Sequence, residues 1–180
     1  MKHFKLTNET KVNAFGVTLF RIELTIDCKW GKVGDKGGFI EKEENLSGNA
    51  WVYGNARVYG DARVYGNAEV SGDARVYGDA EVYGNARVYG DARVYGNAWV
   101  YGNARVESSN DYCAIQSFGS ENRTTTFFKT KTKEIAVKCG CFEGSIVDFE
   151  ARVKSVHGDN KAGREYMAAI ALVKIKFETL

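Results

Sequence analysis

Gly48-Asn-Ala-Trp-Val-Tyr53, Gly54-Asn-Ala-Arg-Val-Tyr59 and Gly60-Asp-Ala-Arg-Val-Tyr65 open a run in which one six-residue phrase recurs ten times, ending at Val106. Val stands at 52, 58, 64, 70, 76, 82, 88, 94, 100 and 106, with Ala two residues before each. In an extended segment Ala and Val therefore point to one side, while the residue between them and the following Tyr point to the other. Gly-Asn or Gly-Asp then makes a corner, where positive φ is tolerated. Each hexad is a short strand plus a corner, with one small and one branched apolar residue inside.

Two folds could use this pattern. An antiparallel meander turning at each Gly-Asn or Gly-Asp would expose a whole Ala/Val face, and the rest of the chain offers little to cover it. A coil of three hexads closes a triangular prism around its own Ala/Val core, and successive coils stack by parallel pairing. The second solution predicts a mainly β protein built on a left-handed parallel β-helix, an exception to right-handed crossovers. Ile40 and Leu46 continue the Val ladder backwards, so the prism is expected over residues 39–107, in about four coils of three hexads.

Folding the sequence at this period aligns the outer faces. One corner carries Asn49, Asn67, Asn85 and Asn103, a ladder able to hydrogen-bond along the stack. A second face aligns Arg57, Arg75 and Arg93 beside Tyr59, Tyr77 and Tyr95. The third aligns Arg63, Glu81 and Trp99 beside Tyr65, Tyr83 and Tyr101. Arg and Tyr are types enriched in binding hot spots, so the Arg57/Arg75/Arg93 face is a candidate contact surface. The plainer reading is a solvated face on which Asp73 and Asp91 neutralise the arginines. Trp51 and Trp99 take positions held elsewhere by Arg or Glu; contact with a partner, or docking of the flanks, accounts for either.

Residues 1–38 read as an N-terminal β cap, with strands around Phe4–Leu6 and Val17–Ile26 and a loop at Gly34–Gly38. Residues 108–180 read as a small α+β domain. Tyr112–Phe118 and Thr125–Cys139 have strand character, and Ser145-Ile-Val-Asp148 resembles a capping box opening a helix that ends at His157-Gly158. Asp159 or Asn160 caps a second helix with Tyr166, Ile170, Val173 and Ile175 or Phe177 on its apolar face.

The chain has 180 residues, 27% charged and 44% apolar, with a net charge of +2. That balance gives no strong nucleic-acid signature and excludes an acidic DNA mimic. No apolar stretch is long enough for a signal peptide or membrane span, which leads us to expect a cytoplasmic protein. The cysteines at 28, 113, 139 and 141 lack paired zinc spacing, so neither metal nor other cofactor is expected. Cys139-Gly-Cys141 reads as buried small hydrophobes in a strand rather than a redox pair.

The repeat resembles the hexapeptide transferase superfamily. That resemblance implies the fold, and a trimer, but no catalytic residue. The superfamily's histidine lies on the prism or on a loop leaving it, whereas the only histidines here are His3 and His157. A further resemblance covers most of the chain. Gly37-Gly-Phe-Ile-Glu-Lys-Glu-Glu-Asn-Leu46, leading into the repeats, is similar to a group of phage and prophage hexapeptide-repeat proteins. Gly119-Ser120, Thr124-Thr-Thr-Phe127, Cys139-Gly-Cys-Phe142, His157-Gly-Asp-Asn160 and Glu165-Tyr166 resemble a C-terminal module of the same group. An arginine follows the serine in that module; here Glu121 does, with Arg123 two residues on.

The resemblance implies a non-catalytic phage accessory protein, working in the host cytoplasm, that binds a host defence protein or a small nucleotide ligand to antagonise antiviral defence. Ser120, Arg123, Thr124, Thr125 and Thr126 are candidates there, since hydroxyls beside a guanidinium can hold a phosphate or ribose. Cys141, His157 and Tyr166 are secondary candidates. The alternatives are an acyltransferase with an atypical site using His157 or Cys141, and a structural virion protein. For assembly, the flat tyrosine faces point to a trimer, with a dimer through the C-terminal helices as the other arrangement.

Overall fold

The computed structural model describes residues 2–178. Ten two-residue strands follow the repeat: Trp51–Val52 (β4), Arg57–Val58 (β5), Arg63–Val64 (β6), Glu69–Val70 (β7), Arg75–Val76 (β8), Glu81–Val82 (β9), Arg87–Val88 (β10), Arg93–Val94 (β11), Trp99–Val100 (β12) and Arg105–Val106 (β13). They pair in parallel, each with the strand one coil away: Val52 with Val70, Val88 and Val106 in turn, Val58 with Val76 and Val94, Val64 with Val82 and Val100. Ile40 pairs with Val58 and Leu46 with Val64 in the same parallel sense. The middle of the chain is thus a β-solenoid of about four coils, not a meander.

Every Ala and Val of the ladder is at most 1% exposed. Each such Val contributes roughly 1.5–3 kcal/mol of burial. The strand amides donate to the next coil, as Arg75 N does to Ala92 O (2.9 Å) and Tyr77 N to Val94 O (3.0 Å). The corner glycines hold φ between +59° and +73°. Their coils also lie close: a Cβ on Gly66 would come within 3.1 Å of Gly84 N. Glycine is needed there on both counts.

The asparagine corner differs from the ladder the sequence predicts. Asn49 Nδ2 reaches Asn67 Oδ1 at 3.5 Å, and that oxygen also accepts from Lys29 Nζ at 3.1 Å. Among the described residues no side-chain bond continues to Asn85 or Asn103. The backbone carries the stack instead, with Asn49 N, Asn67 N and Asn85 N donating to Gly66, Gly84 and Gly102 carbonyls at 2.7–2.9 Å.

At the N-terminal end, β1 (Phe4–Val12), β2 (Thr18–Leu24) and β3 (Lys36–Ile40) form an antiparallel meander, and β3 then pairs in parallel with β5. One side of the solenoid therefore continues into a six-stranded sheet. The loop expected at Gly34–Gly38 is a turn only as far as Asp35; Lys36, Gly37 and Gly38 are strand. Gly37 and Gly38 are glycines because a Cβ would strike Ile22, Trp51 and the Val52 carbonyl, or Val52 and the Ala56 carbonyl. Close backbone approach mimics a loop composition. His3 and this meander cover Trp51, leaving it 1% exposed. In the first coil, Asn45 is buried and donates to the Gly60 and Ala62 carbonyls at 3.0 and 2.8 Å, supplying bonds that a strand supplies in later coils.

Past the solenoid, β14 (Tyr112–Phe118), β15 (Arg123–Lys129), β16 (Ile135–Cys139) and β17 (Phe142–Ser145) make an antiparallel sheet in chain order. The single strand expected over Thr125–Cys139 is a hairpin, turning where Lys133 adopts φ 64°. Ser145 caps α1 (Ile146–His157), accepting from Asp148 N, and Asn160 caps α2 (Lys161–Phe177), accepting from Gly163 N. Phe177 closes the apolar face of α2, while Ile175 is exposed. Both helices pack on the sheet through Phe127, Val137, Phe149, Tyr166, Ile170 and Val173.

This α+β module docks on the third face of the solenoid. Tyr101 lies edge-on to Phe128 (5.1 Å) and donates to the Val137 carbonyl at 3.1 Å. Tyr83 donates to Glu143 at 3.1 Å, and the same carboxylate takes Lys138. The Lys138 contact, with Tyr83 adding to it, holds the Glu143 carboxyl below its usual range. Burial, reinforced by that carboxylate, pushes the Tyr101 phenol up to about 12. Among the described residues no helix is long and apolar enough to cross a membrane.

Candidate functional site

The turn from β14 to β15 brings the scattered C-terminal motifs together. Gly119 holds φ 77°, and a Cβ there would strike Tyr166 Cζ and its hydroxyl oxygen, so the backbone lies against the hydroxyl end of that ring. Gly119 N donates to Glu165 Oε2 at 2.7 Å and Ser120 N to the Tyr166 hydroxyl at 3.3 Å. Gly140, at φ 57° in the β16–β17 turn, lies under the Arg123 guanidinium; a Cβ would meet Arg123 Nη1 at 2.8 Å. His157 ends α1 with its ring 5.5 Å from that of Tyr166.

These pieces line one open hollow of about 440 Å³, walled by Ser120, Arg123, Cys141, Arg152, His157 and Tyr166 over a floor that includes Phe142 and Phe149. Two guanidiniums face it. Arg123 pairs with Glu121 at 3.4 Å, but both are more than half exposed, so the pair is weak and an entering anion can displace it. Burial raises the Tyr166 phenol above its ordinary value, so it stays protonated. Its oxygen accepts from Ser120 N, and it also lies 3.5 Å from Ser120 Oγ and 3.9 Å from Cys139 Sγ. The hollow thus presents two guanidiniums, with the paired Ser120 and Tyr166 hydroxyls beside them and the Glu121 carboxylate at its edge, a set suited to phosphate or carboxylate oxygens that displace Glu121 from Arg123.

The threonines separate from this group. Thr125 and Thr126 are each 1% exposed. Thr125 donates to Cys139 Sγ at 3.1 Å, and Thr126 accepts from Trp99 N at 3.0 Å, so both serve as structural joints. Thr124 and Thr126 line a second groove of about 400 Å³ with Trp99, Lys138 and Arg123, the arginine standing between the two hollows. Lys138 lies 4.9 Å from the centre of the Trp99 ring. Cys141 is exposed, contrary to the buried-hydrophobe reading, because it sits in the turn just after Gly140.

Arg57, Arg75 and Arg93 stack in register on the solenoid, far along the chain from these hollows. Tyr59, Tyr77 and Tyr95 stack beside them at 5.0 and 5.3 Å, nearly parallel. Asp73 and Asp91 do not neutralise the arginines: they stand exposed in the corner turns, and none of the five makes an ion pair among the described residues. Tyr77, Arg93 and Tyr95 border a third groove, with Tyr112 and Lys176.

Sequence reasoning missed Arg152 and Lys138. Arg152 was visible in principle, since Phe149, Arg152, Val153 and Val156 share one helical face. Lys138 carried no such signal, because its burial depends on the docked solenoid.

A β-solenoid fused to a small α+β module is the class these features define. Within it, the family model described as the YdcK beta solenoid repeat matches residues 50–66, 56–72, 62–78, 80–96 and 86–102. The repeat is similar to that family; the match does not extend to the N-terminal meander or the C-terminal module. No curated protein matches the chain.

Proposed function

We propose that this is a non-catalytic binding protein, in which the solenoid is a rigid mount and the C-terminal module takes a small anionic ligand of nucleotide type. The carrying observation is convergence. Residues 120, 123, 139–142, 157 and 166 are far apart in sequence, yet they wall one hollow, with Gly119 and Glu165 bonded to each other behind it. Arg123 and Arg152 would hold phosphate oxygens, with Ser120 and the Tyr166 phenol completing the donors. The similarity of these same motifs to a phage and prophage module supports placing the ligand in a host defence pathway, where a phage protein would sequester it.

Native mass spectrometry of the protein expressed in a bacterial host tests this directly. A retained nucleotide-sized mass is expected, lost from Arg123→Ala and Arg152→Ala variants whose thermal transition is unchanged. A ligand-free protein that also fails to bind any nucleotide tested in equilibrium dialysis would overturn the reading. Turnover of an acyl donor, abolished by Cys141→Ser or His157→Ala, would replace it with the acyltransferase alternative.

A further inference from the structure

Charge is arranged differently on the three sides of the solenoid. On one side Glu69 and Arg87 are in register and pair at 3.2 Å. On another Arg63 lies in register with Glu81, which accepts from Tyr65 at 2.8 Å. Only the β5–β8–β11 side stacks three like charges, Arg57, Arg75 and Arg93. Parallel strands lie about 4.8 Å apart, so repulsion along this row is not relieved from within the coil.

A second unpaired row borders these strands at the preceding corner. Ala74 and Val76 point inward, so Asp73, Arg75 and Tyr77 point outward together, and Asp91, Arg93 and Tyr95 repeat the pattern one coil on. Asp73 and Asp91 are exposed and, like the arginines, have neither an ion pair nor a side-chain hydrogen bond among the described residues. The face therefore presents an acidic row and a basic row side by side, at matching heights.

We propose that this face is the interface of a two-fold symmetric dimer, formed with a second copy of this chain whose solenoid runs parallel to the first. A two-fold axis running between the rows and parallel to them brings each row onto the opposite row of the other copy. Arg75 then meets the partner's Asp73 and Arg93 meets the partner's Asp91, and symmetry doubles these to four ion pairs. The ion pairs are confined to these two coils, because Asn55 holds the equivalent position in the coil below. A nucleic acid fits less well. Its phosphates would run alongside Asp73 and Asp91, and the stacked tyrosines have spent their ring faces on one another. This inference does not rest on the ligand hollow, and the two fail separately.

Sedimentation velocity with native mass spectrometry tests it on the full chain. The expected wild-type species is a dimer that dissociates as salt rises. Arg75→Asp with Arg93→Asp should give a monomer, as should Asp73→Arg with Asp91→Arg, and mixing these two variants should restore a dimer containing one of each. Should either reversed row fail to fold, Arg75→Gln with Arg93→Gln is the milder test, expected to weaken dimerisation at least about tenfold. A wild-type monomer at ~100 μM, well above the midrange of transient interfaces, would overturn the proposal. So would a trimer, a dimer indifferent to both rows, or a monomer that binds a single-stranded oligonucleotide through the arginines.

Discussion

The solenoid and the C-terminal module solve the same problem with opposite means. In the solenoid every coil repeats one solution: Ala and Val inside, glycine at the corner, backbone amides passed to the next coil. Its contacts join residues one coil apart, and no position is special. In the module the core is assembled once, from Phe127, Val137, Phe149, Tyr166 and Ile170, and the functional candidates occur at single positions. The contrast teaches that periodic burial makes a stiff support but supplies no convergence, whereas the module gains a donor-lined hollow by bringing distant turns onto one tyrosine.

The sharpest way to break the comparison is to attack each half at its own organising residue. Val82→Asp puts a carboxylate at the centre of the solenoid, where no cation or donor can reach it. A cost above about 4 kcal/mol is expected, enough to unfold the coils. Circular dichroism should show loss of β structure throughout, because neighbouring coils depend on one another. Gly119→Ala should act more locally. It drives a Cβ onto Tyr166 Cζ at a backbone of φ 77°, and an expected cost of about 2–4 kcal/mol should fall on the module alone. Hydrogen exchange would show α1, α2 and β14–β17 opening while the coil amides stay protected. If Gly119→Ala instead loosened the solenoid as much as the module, the two would not be separate units of stability.

How much of this was legible follows from the same contrast. The six-residue period dictated the coil number, the inward residues and the three outer rows, and Ile40 and Leu46 marked the first coil before any strand was visible. Helix caps at Ser145 and Asn160 were equally local signals. What composition misread were residues whose role depends on a neighbour distant in sequence. Gly37 and Gly38 look like a loop, yet they are strand residues cleared for Trp51 and Val52. Thr125 and Thr126 look like ligand hydroxyls, yet they are joints to Cys139 and Trp99. Ser120, Arg123, Cys141, His157 and Tyr166 could be named singly, but only the folded turns show that they share one hollow.

The smallest expected effect concerns the other flank and distinguishes it from the module by pH. His3 is buried against Trp51, and its Nε2 lies 3.1 Å from the Ala50 carbonyl. Burial lowers its pKa below 6.5, with the Lys29 charge acting the same way and the bond to Ala50 opposing them. The unfolded chain therefore takes up this proton more readily than the folded one, so the stabilisation is complete above pH 6.5 and declines as pH falls toward the lower folded value. Hydrogen exchange, corrected for its intrinsic pH dependence, should show β1 and β2 opening more often at pH 5.5 than at 7.5, while module amides do not change in step. In His3→Gln, whose amide can still donate to Ala50 but does not titrate, the difference should vanish. A wild-type meander equally protected at both pH values would mean that the proton finds a place without disturbing the packing of His3 on Trp51.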